Sequence, residues 1–474
     1  MKNITIAAAN VTQLDDFIES GFLEKVSKKF NINFLIFKLG KDNHIRIKKL
    51  EQYGKIFESE ASKEKGIFRK IFNFFKIKIN LICYFTNEIN QNKSRFNKNF
   101  VLNKTLSIDG PNYLIFFKIL NYLKLLKIIE IIFKFFLRMF PYNHIKNIKD
   151  IDLLLLAYKV FDPTTFGDDL IRVAKKKKIK VFGIQVNWDS LTDRVALETP
   201  DFLGVYGEQS FLFATLVQKV PPYRIFPVGS LKFDKYRENN ISKNEARKNL
   251  NLPIDKKIIC ICPSGEEFDE IFTLKILNEA VKKNFFSKNI CFYFKGYKGG
   301  KKKTLENNFR VEYAKEPENL ELENIIFWEP TKLNLNNKDY FKNFFRAIDG
   351  IISTFSTMSL EAAYNHIPSV GLSYNSKDYG LKVRDNWIFR NHNYHHYPFR
   401  SHQDTILCNS REEILTSVKK LIELTEEKKV LEDLPKLVYS CIYSDRHSSS
   451  EKVIIAIDDI FKKGRKDDSK IGYK

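Results

Sequence analysis

Short, almost wholly apolar runs alternate along this chain with stretches of helical periodicity, and that alternation constrains its fold more than any other feature. Ile4 to Ala8 is the first run, and Asn10 to Thr12 make a polar turn. Leu14, Phe17, Ile18, Phe22, Val26 and Phe30 then recur at helical spacing before a second strand at Phe34 to Phe37. Strand, helix and strand at this length open a parallel, doubly wound sheet, whose ligands sit in a crevice beyond the carboxyl ends of the strands. The rhythm returns at Ile151, where IDLLLLAY reads as a strand, Gly167 to Lys178 as a basic helix and IKVFGIQVNW as another strand. A polar, charged stretch from Phe233 to Lys257 interrupts it. Beyond that come KKIICICPSG, a helix around Ile271 to Val281, NICFYFKGYKGG, ENIIFWEP and DGIIST. The expected architecture is α/β, with two doubly wound Rossmann-type domains. A length of 474 residues fits that number. The expected boundaries are 1–238 for the first domain, 239–256 for a linker and 257–440 for the second domain.

The first domain carries an insert at about 66–140 that breaks the alternation with basic, aromatic, helical sequence, most strongly in PNYLIFFKILNYLKLLKIIEIIFKFFLRMF. Lys118, Asn121, Lys124, Lys127, Lys134 and Arg138 form a polar stripe, skipping one turn near Glu130, with Leu, Ile and Phe over the rest. No stretch of about 20 uncharged apolar residues exists, so a bilayer-spanning helix is not expected. Cations on one face and bulky apolar groups opposite suit the interface of an anionic membrane, and equally a helix pair packed inside the domain.

The net charge of +22 points to an anionic partner. Much of the Lys, Asn, Ile, Phe and Tyr excess looks like low-GC codon bias, and without a recognition motif no nucleic-acid partner is expected. The six cysteines show no CxxC spacing and read as reduced, mostly buried thiols. Cys260 and Cys262 alternate along a strand, which puts both on one face of the sheet, as core packing requires. The start, MKNITIAAANVTQLDD, lacks a signal-peptide h-region and cleavage site, so a cytoplasmic location is expected.

No metal is expected. Asp150-Ile151-Asp152 has the DxD spelling of divalent-cation sites, but it precedes its strand and so lies on the edge opposite the ligand crevice. His392, His395, His396 and His402 match no closed structural zinc spacing.

Between Asp349 and Tyr374 the sequence DGIISTFSTMSLEAAYNHIPSVGLSY gives a strand, a hydroxyl-rich turn, a short helix carrying Glu361 and a second strand. Ser353, Thr354, Ser356 and Thr357 crowd the point where the helix begins. Its orphan amides and the positive end of its dipole attract phosphate oxygens, and the hydroxyls add donors or simply cap the helix.

Three stretches carry a resemblance. They are Gln185-Val186-Asn187-Trp188-Asp189-Ser190-Leu191-Thr192; Val228-Gly229-Ser230 with Phe233-Asp234-Tyr236; and Ser356-Thr357 with Glu361-Ala362 and Pro368. In this order the chain resembles bacterial surface-carbohydrate glycosyltransferases of the GT-B type, distantly similar to CDP-glycerol glycerophosphotransferases and UDP-N-acetylglucosamine 2-epimerases. The resemblance covers most of the chain except about 45 to 145. Ser190 stands where the pattern has Asn, Ser230 where it has Pro, and Lys295-Gly296 where the glycerophosphotransferases show a basic residue and His-Pro.

The resemblance implies two domains facing across a cleft, with residues 441–474 forming a helix that crosses back to the first. It implies a nucleotide-sugar donor on the second domain, with Ser356 and Thr357 on its diphosphate and Glu361 near ribose or sugar hydroxyls. Ser264, Gly265 and Lys295, at the ends of the first two strands of that domain, are further candidates for the phosphates. Inverting transfer needs a general base from the first domain. Asp15, Asp16, Asp162 and Glu208 all follow strands; Asp16 is favoured, and Trp188 and Asp189 are candidates for the acceptor sugar. The function so implied is transfer of a sugar to a lipid-linked or surface polysaccharide such as capsule or lipopolysaccharide, without cofactor, on the inner face of the cytoplasmic membrane. Polyol-phosphate transfer from CDP-glycerol or CDP-ribitol, sugar-nucleotide epimerisation, and a catalytically silent membrane scaffold are the alternatives.

Overall fold

The computed structural model describes residues 1–40, 43–60, 79, 125–160, 165–191, 196–237, 240–262, 270–295, 324–327, 340–374, 396, 398–399, 402, 405–444 and 446–463. The chain divides into two compact units, Met1–Arg237 with Cys441–Lys474, and Glu238–Ser440.

The first unit contains β1 (Asn3–Asn10), β2 (Asn31–Lys38), β3 (Gly54–Glu58), β4 (Leu153–Tyr158), β5 (Lys180–Gln185), β6 (Phe202–Val205) and β7 (Ile225–Pro227). They form one parallel sheet in the order β3-β2-β1-β4-β5-β6-β7. The apolar run of β4 is explained by burial on both faces. Leu153, Leu155 and Ala157 enter one core with Phe17, Phe22 and residues of the helix Ser449–Lys463, while Leu154, Leu156 and Tyr158 enter another with the helix Phe166–Lys176.

The second unit contains β8 (Lys257–Ile261), β9 (Ile290–Phe294), β10 (Ile325–Phe327), β11 (Gly350–Ser353), β12 (Ser369–Leu372) and β13 (Ile406–Cys408). This parallel sheet runs β10-β9-β8-β11-β12-β13. In both sheets the chain turns back on itself at the centre, between β1 and β4 and between β8 and β11. Those are the switch points at which doubly wound sheets open a crevice.

The segment 239–256 is not a free connection. Its helix Lys243–Asn249 packs on the helix Tyr340–Ala347 within the second unit. The buried Arg247 guanidinium donates to Ala347 O at 2.9 Å, Ile254 O at 2.7 Å and Asp349 Oδ2 at 2.8 Å. A polar sequence is folded here because one arginine satisfies the carbonyl at the end of the helix Tyr340–Ala347 and another in the loop before β8.

Closure of the first unit by the segment from Cys441 onward depends on a glycine. A side chain at Gly207 would meet the Cys441 carbonyl carbon at 2.3 Å, and beside it Tyr443 N donates to Tyr206 O at 2.7 Å. The serine-rich start of the helix Ser449–Lys463 is a reciprocal cap: Glu451 accepts from Ser448 N at 2.9 Å, and Ser448 Oγ accepts from Glu451 N at 3.2 Å.

Most of the helical insert expected at 66–140 lies outside the described residues. The helix Leu126–Met139 at its end exposes Ile128, Ile131, Ile132, Phe135 and Met139, and buries Leu137. Arg138 reaches back to Glu198 at 3.2 Å. Among the described residues no helix is long and apolar enough to cross a membrane.

Candidate functional site

The carboxyl edge of the second sheet gathers the polar groups that the sequence singles out there. β11 delivers Ser353, Thr354 and Phe355 to its end, and Ser356 then adopts an extended conformation and caps the helix Thr357–Tyr364, its hydroxyl accepting from Met358 N at 3.2 Å. Ser353 and Ser359 hydroxyls pair at 3.2 Å beneath the turn. Thr354 Oγ1 is buried without a hydrogen-bond partner among the described residues. A buried hydroxyl without a partner is costly, which makes Thr354 a candidate for contact with a bound group. Ser356 and Thr357 remain half-exposed at the helix start.

Glu361, one turn further along the helix, is only 1% exposed. Its carboxylate acts electrostatically on the thiol of Cys262, the residue just past the end of β8. Lys295 lies just past the end of β9, its amide bound to Ile261 O at 3.0 Å. Its ammonium stands 5.2 Å and 5.5 Å from the ring centres of Phe341 and Phe344 and also acts on Cys262. The structure thus brings Lys295, Cys262, Thr354, Ser356, Thr357 and Glu361 to the β9-β8-β11 edge, at the switch point. Ser264 and Gly265 lie outside the described residues, as do Asp162, His392 and His395.

Tyr293 and Tyr340 belong to the same layer, and burial makes both phenols much weaker acids than usual. Neither was legible as part of this layer, since they lie on a strand and a helix far apart in sequence. The turn itself is braced by Phe355, whose ring passes so close to Gly371 on β12 that a Cβ there would lie 2.3 Å from it. His396 packs on the same ring, 6.1 Å between centroids.

In the first unit Asp16 sits half-buried in the first turn of the helix Asp15–Glu19, past the polar turn that follows β1. Its neighbour Asp15 is held by Arg46 through two bonds of 2.6 and 2.9 Å. Glu208 and Asp189 are exposed beyond β6 and β5, at that same edge of the sheet. Trp188 is not displayed as a sugar platform: it is 2% exposed, and its indole donates to Gln209 at 3.0 Å. Asp152 accepts from Asn3 N at 2.8 Å and Lys2 at 3.0 Å, at the amino edge of the sheet. Ser59, His144 and Asp169 adjoin one another in the interior, with 2.7 Å between Ser59 Oγ and His144 Nδ1. Enclosed in this way, they pack the domain and offer no route for substrate.

Two parallel Rossmann-type domains with these strand orders define a GT-B-like α/β protein. Solved structures share this fold across nearly the whole chain. One is a protein of Listeria monocytogenes assigned as a UDP-N-acetylglucosamine 2-epimerase, with TM-score 0.53, 11% identity and coverage of 98% of this chain and 97% of that one. The wall teichoic acid polymerase TagF matches with TM-score 0.50, 10% identity and coverage of 98% and 90%. The UDP-GlcNAc 2-epimerase of Methanocaldococcus jannaschii matches with TM-score 0.50, 13% identity and coverage of 97% and 100%. The distant resemblance to both groups is therefore seen in the fold. No protein-family profile and no curated protein matches the chain.

Proposed function

We propose that the protein is a glycosyltransferase that moves a sugar from a nucleotide-sugar donor to a lipid-linked or surface polysaccharide acceptor. The observation that carries this reading is the convergence of Lys295, the capped start of the helix Thr357–Tyr364 and the unsatisfied Thr354 hydroxyl at one switch point. A diphosphate there meets amide donors, hydroxyl donors and one ammonium, which together stabilise the charge that develops as the sugar leaves. Glu361 is assigned to the hydroxyls of ribose or sugar, and Asp16 to the acceptor proton. The transfer is read as metal-independent, with Lys295 and the helix amides in the role of a cation.

A location on the inner face of the cytoplasmic membrane is supported by the helix Leu126–Met139. Its exposed row of Ile128, Ile131, Ile132, Phe135 and Met139 recurs every three or four residues, on a chain of net charge +22.

The testing experiment is a thermal-shift panel of UDP, GDP, CDP, CMP and TDP on the full chain, followed by transfer assays with the nucleotide that stabilises it. Failure of every nucleotide at millimolar concentration overturns the donor site. Turnover of CDP-glycerol in place of nucleotide sugars identifies a polyol-phosphate transferase. Conversion of UDP-N-acetylglucosamine with no acceptor identifies an epimerase. Vesicle flotation with anionic and neutral lipids tests the membrane assignment: binding that needs anionic lipid and is lost on Phe135→Glu supports it, and no binding sinks it.

A further inference from the structure

Cys260, in β8, and Cys262, one residue past its end, leave the sheet on the same face, and their sulfurs stand 3.6 Å apart. That face is not an ordinary apolar layer. Besides the two thiols it holds the Tyr293 and Tyr340 phenols, the Lys295 ammonium and the Glu361 carboxylate, all buried. The two sulfurs differ in place, Cys260 within the strand and Cys262 at its open end. Burial, and then the bond to Cys262, hold the Cys260 thiol well above the ordinary range. Cys262 lies at the strand end next to Lys295, whose charge favours its thiolate, while burial and the Glu361 charge oppose it. A thiol beside a cation with a second thiol in reach is the arrangement of redox-responsive cysteines; here the pair is buried, Cys260 at 0% and Cys262 at 3% exposure, so a small oxidant must enter at the Cys262 end.

We propose that Cys260 and Cys262 form a redox-active dithiol in the floor of the crevice, with Cys262 meeting a peroxide-class oxidant and Cys260 resolving it. In the first step the Cys262 thiolate attacks one peroxide oxygen. The S–O bond forms, the O–O bond breaks and hydroxide leaves, taking up the thiol proton as water. Cys260 sulfur then attacks Cys262 Sγ; the S–S bond forms, the S–O bond breaks, and the Cys260 proton departs with the hydroxyl as a second water. The pair loses two electrons and two protons, and the peroxide is reduced to two waters. A dithiol reductant reverses the change by exchange through a mixed disulfide.

The geometry gives the bond a consequence. Residues two apart on a strand have Cα atoms about 6.4–6.8 Å apart. That lies at the upper end of the range of about 4.4–6.8 Å found in disulfides, so the pair can be bridged once the sulfurs close from 3.6 Å to about 2.0 Å. The end of β8 holds Lys295 through Ile261 O at 3.0 Å and meets Ile352 O through Cys262 N at 2.9 Å. Closing the sulfurs strains the strand end that holds Lys295, and oxidation is expected to weaken the grip of that end on a ligand. The effect on ligand rests on the nucleotide reading above; the chemistry of the pair does not.

The test uses the full reduced chain treated with hydrogen peroxide, blocked with iodoacetamide and digested with trypsin. Both sulfurs fall in the peptide 258–275, which is expected to lose two hydrogens and resist alkylation while the peptides of Cys291, Cys408 and Cys441 remain alkylated. In Cys260→Ala, dimedone is expected to label Cys262; in Cys262→Ala it is expected to leave Cys260 unlabelled. Retention of both free thiols in the wild-type peptide overturns the proposal whether or not the variants fold, and dimedone on Cys260 reverses the assigned roles. For the coupling, the thermal shift given by the best nucleotide is expected to disappear on oxidation and to return with dithiothreitol. A shift unchanged in protein whose disulfide has been mapped overturns the coupling. Reduced protein that responds to no nucleotide overturns the donor reading, and the peptide map then decides the dithiol by itself.

Discussion

The carboxylate of Asp234 is the amino-terminal cap of a helix that begins at Ser449. One oxygen accepts the Ser449 amide at 2.7 Å, and the other accepts the Ser450 amide at 2.8 Å and its hydroxyl at 2.6 Å. Negative charge at this position satisfies orphan amides and opposes the positive end of the helix dipole. The Phe-Asp-x-Tyr motif is therefore a lock between two parts of the first unit.

Asp234→Ala is expected to cost about 1–2 kcal/mol, the upper part of the range for a lost cap. Asp234→Asn, which keeps one acceptor, should lose less. Urea midpoints measure both, and hydrogen exchange should show the loss of protection concentrated at Val453, Ile454 and Ile457, which anchor the helix in the core.

Glu198 gives the first unit an acid-sensitive joint. Burial by itself raises its carboxyl, but Arg172, Arg138 and Lys175 outweigh that and hold it below its ordinary value of about 4.5. A carboxyl depressed on folding contributes stability in full above its unfolded value and loses it as pH falls below 4.5. The melting temperature should fall on acidification through that window, and Glu198→Gln should flatten the slope. At neutral pH the same substitution leaves Arg172 paired with Asp169 alone, so it should cost less than the roughly 3–5 kcal/mol of a wholly uncompensated buried charge.

Gly371 is fixed by its contact with the Phe355 ring. Gly371→Ala should destabilise the second unit by about 1–3 kcal/mol, the range for forcing atoms into a packed core. Combined with Phe355→Leu, most of that added cost should vanish, since the smaller side chain vacates the collision. A double-mutant cycle on denaturation midpoints reads the coupling.

Thr354→Val separates fold from function. Replacing an unsatisfied buried hydroxyl by a methyl of the same shape should leave the nucleotide-free protein as stable or slightly more stable. If the hydroxyl serves the proposed diphosphate, the same change weakens nucleotide binding by about 0.5–1.5 kcal/mol, roughly 2- to 13-fold in Kd. Calorimetric titration of both proteins decides it, and equal affinities would remove Thr354 from the site.

The two sheets were legible because their signals are local. The β4 run and the β11 turn each declare themselves within ten residues, and chain direction alone puts Asp152 on the amino edge of its strand. What escaped the sequence was set by distant partners. Arg247 looks like part of a charged linker until Ala347 and Asp349, about a hundred positions away, supply its acceptors. Trp188 looks available to a sugar until Gln209 takes its only polar group. The Cys260 and Cys262 alternation predicted a shared face correctly, but not the charged Lys295 and Glu361 that give the face its chemistry.

The lock between Asp234 and Ser450 joins residues 216 positions apart, and the whole second unit lies between them. During synthesis the first sheet leaves the ribosome long before the helix that covers one of its faces, whereas the second unit is complete by then and free to fold. The half made first is therefore the half finished last. Until Val453, Ile457 and Ile460 arrive, Ile4, Ile6 and Phe34 lack part of their cover. Nascent chains stalled before residue 449 should present that apolar surface to chaperones, and release of the final helix should end the contact.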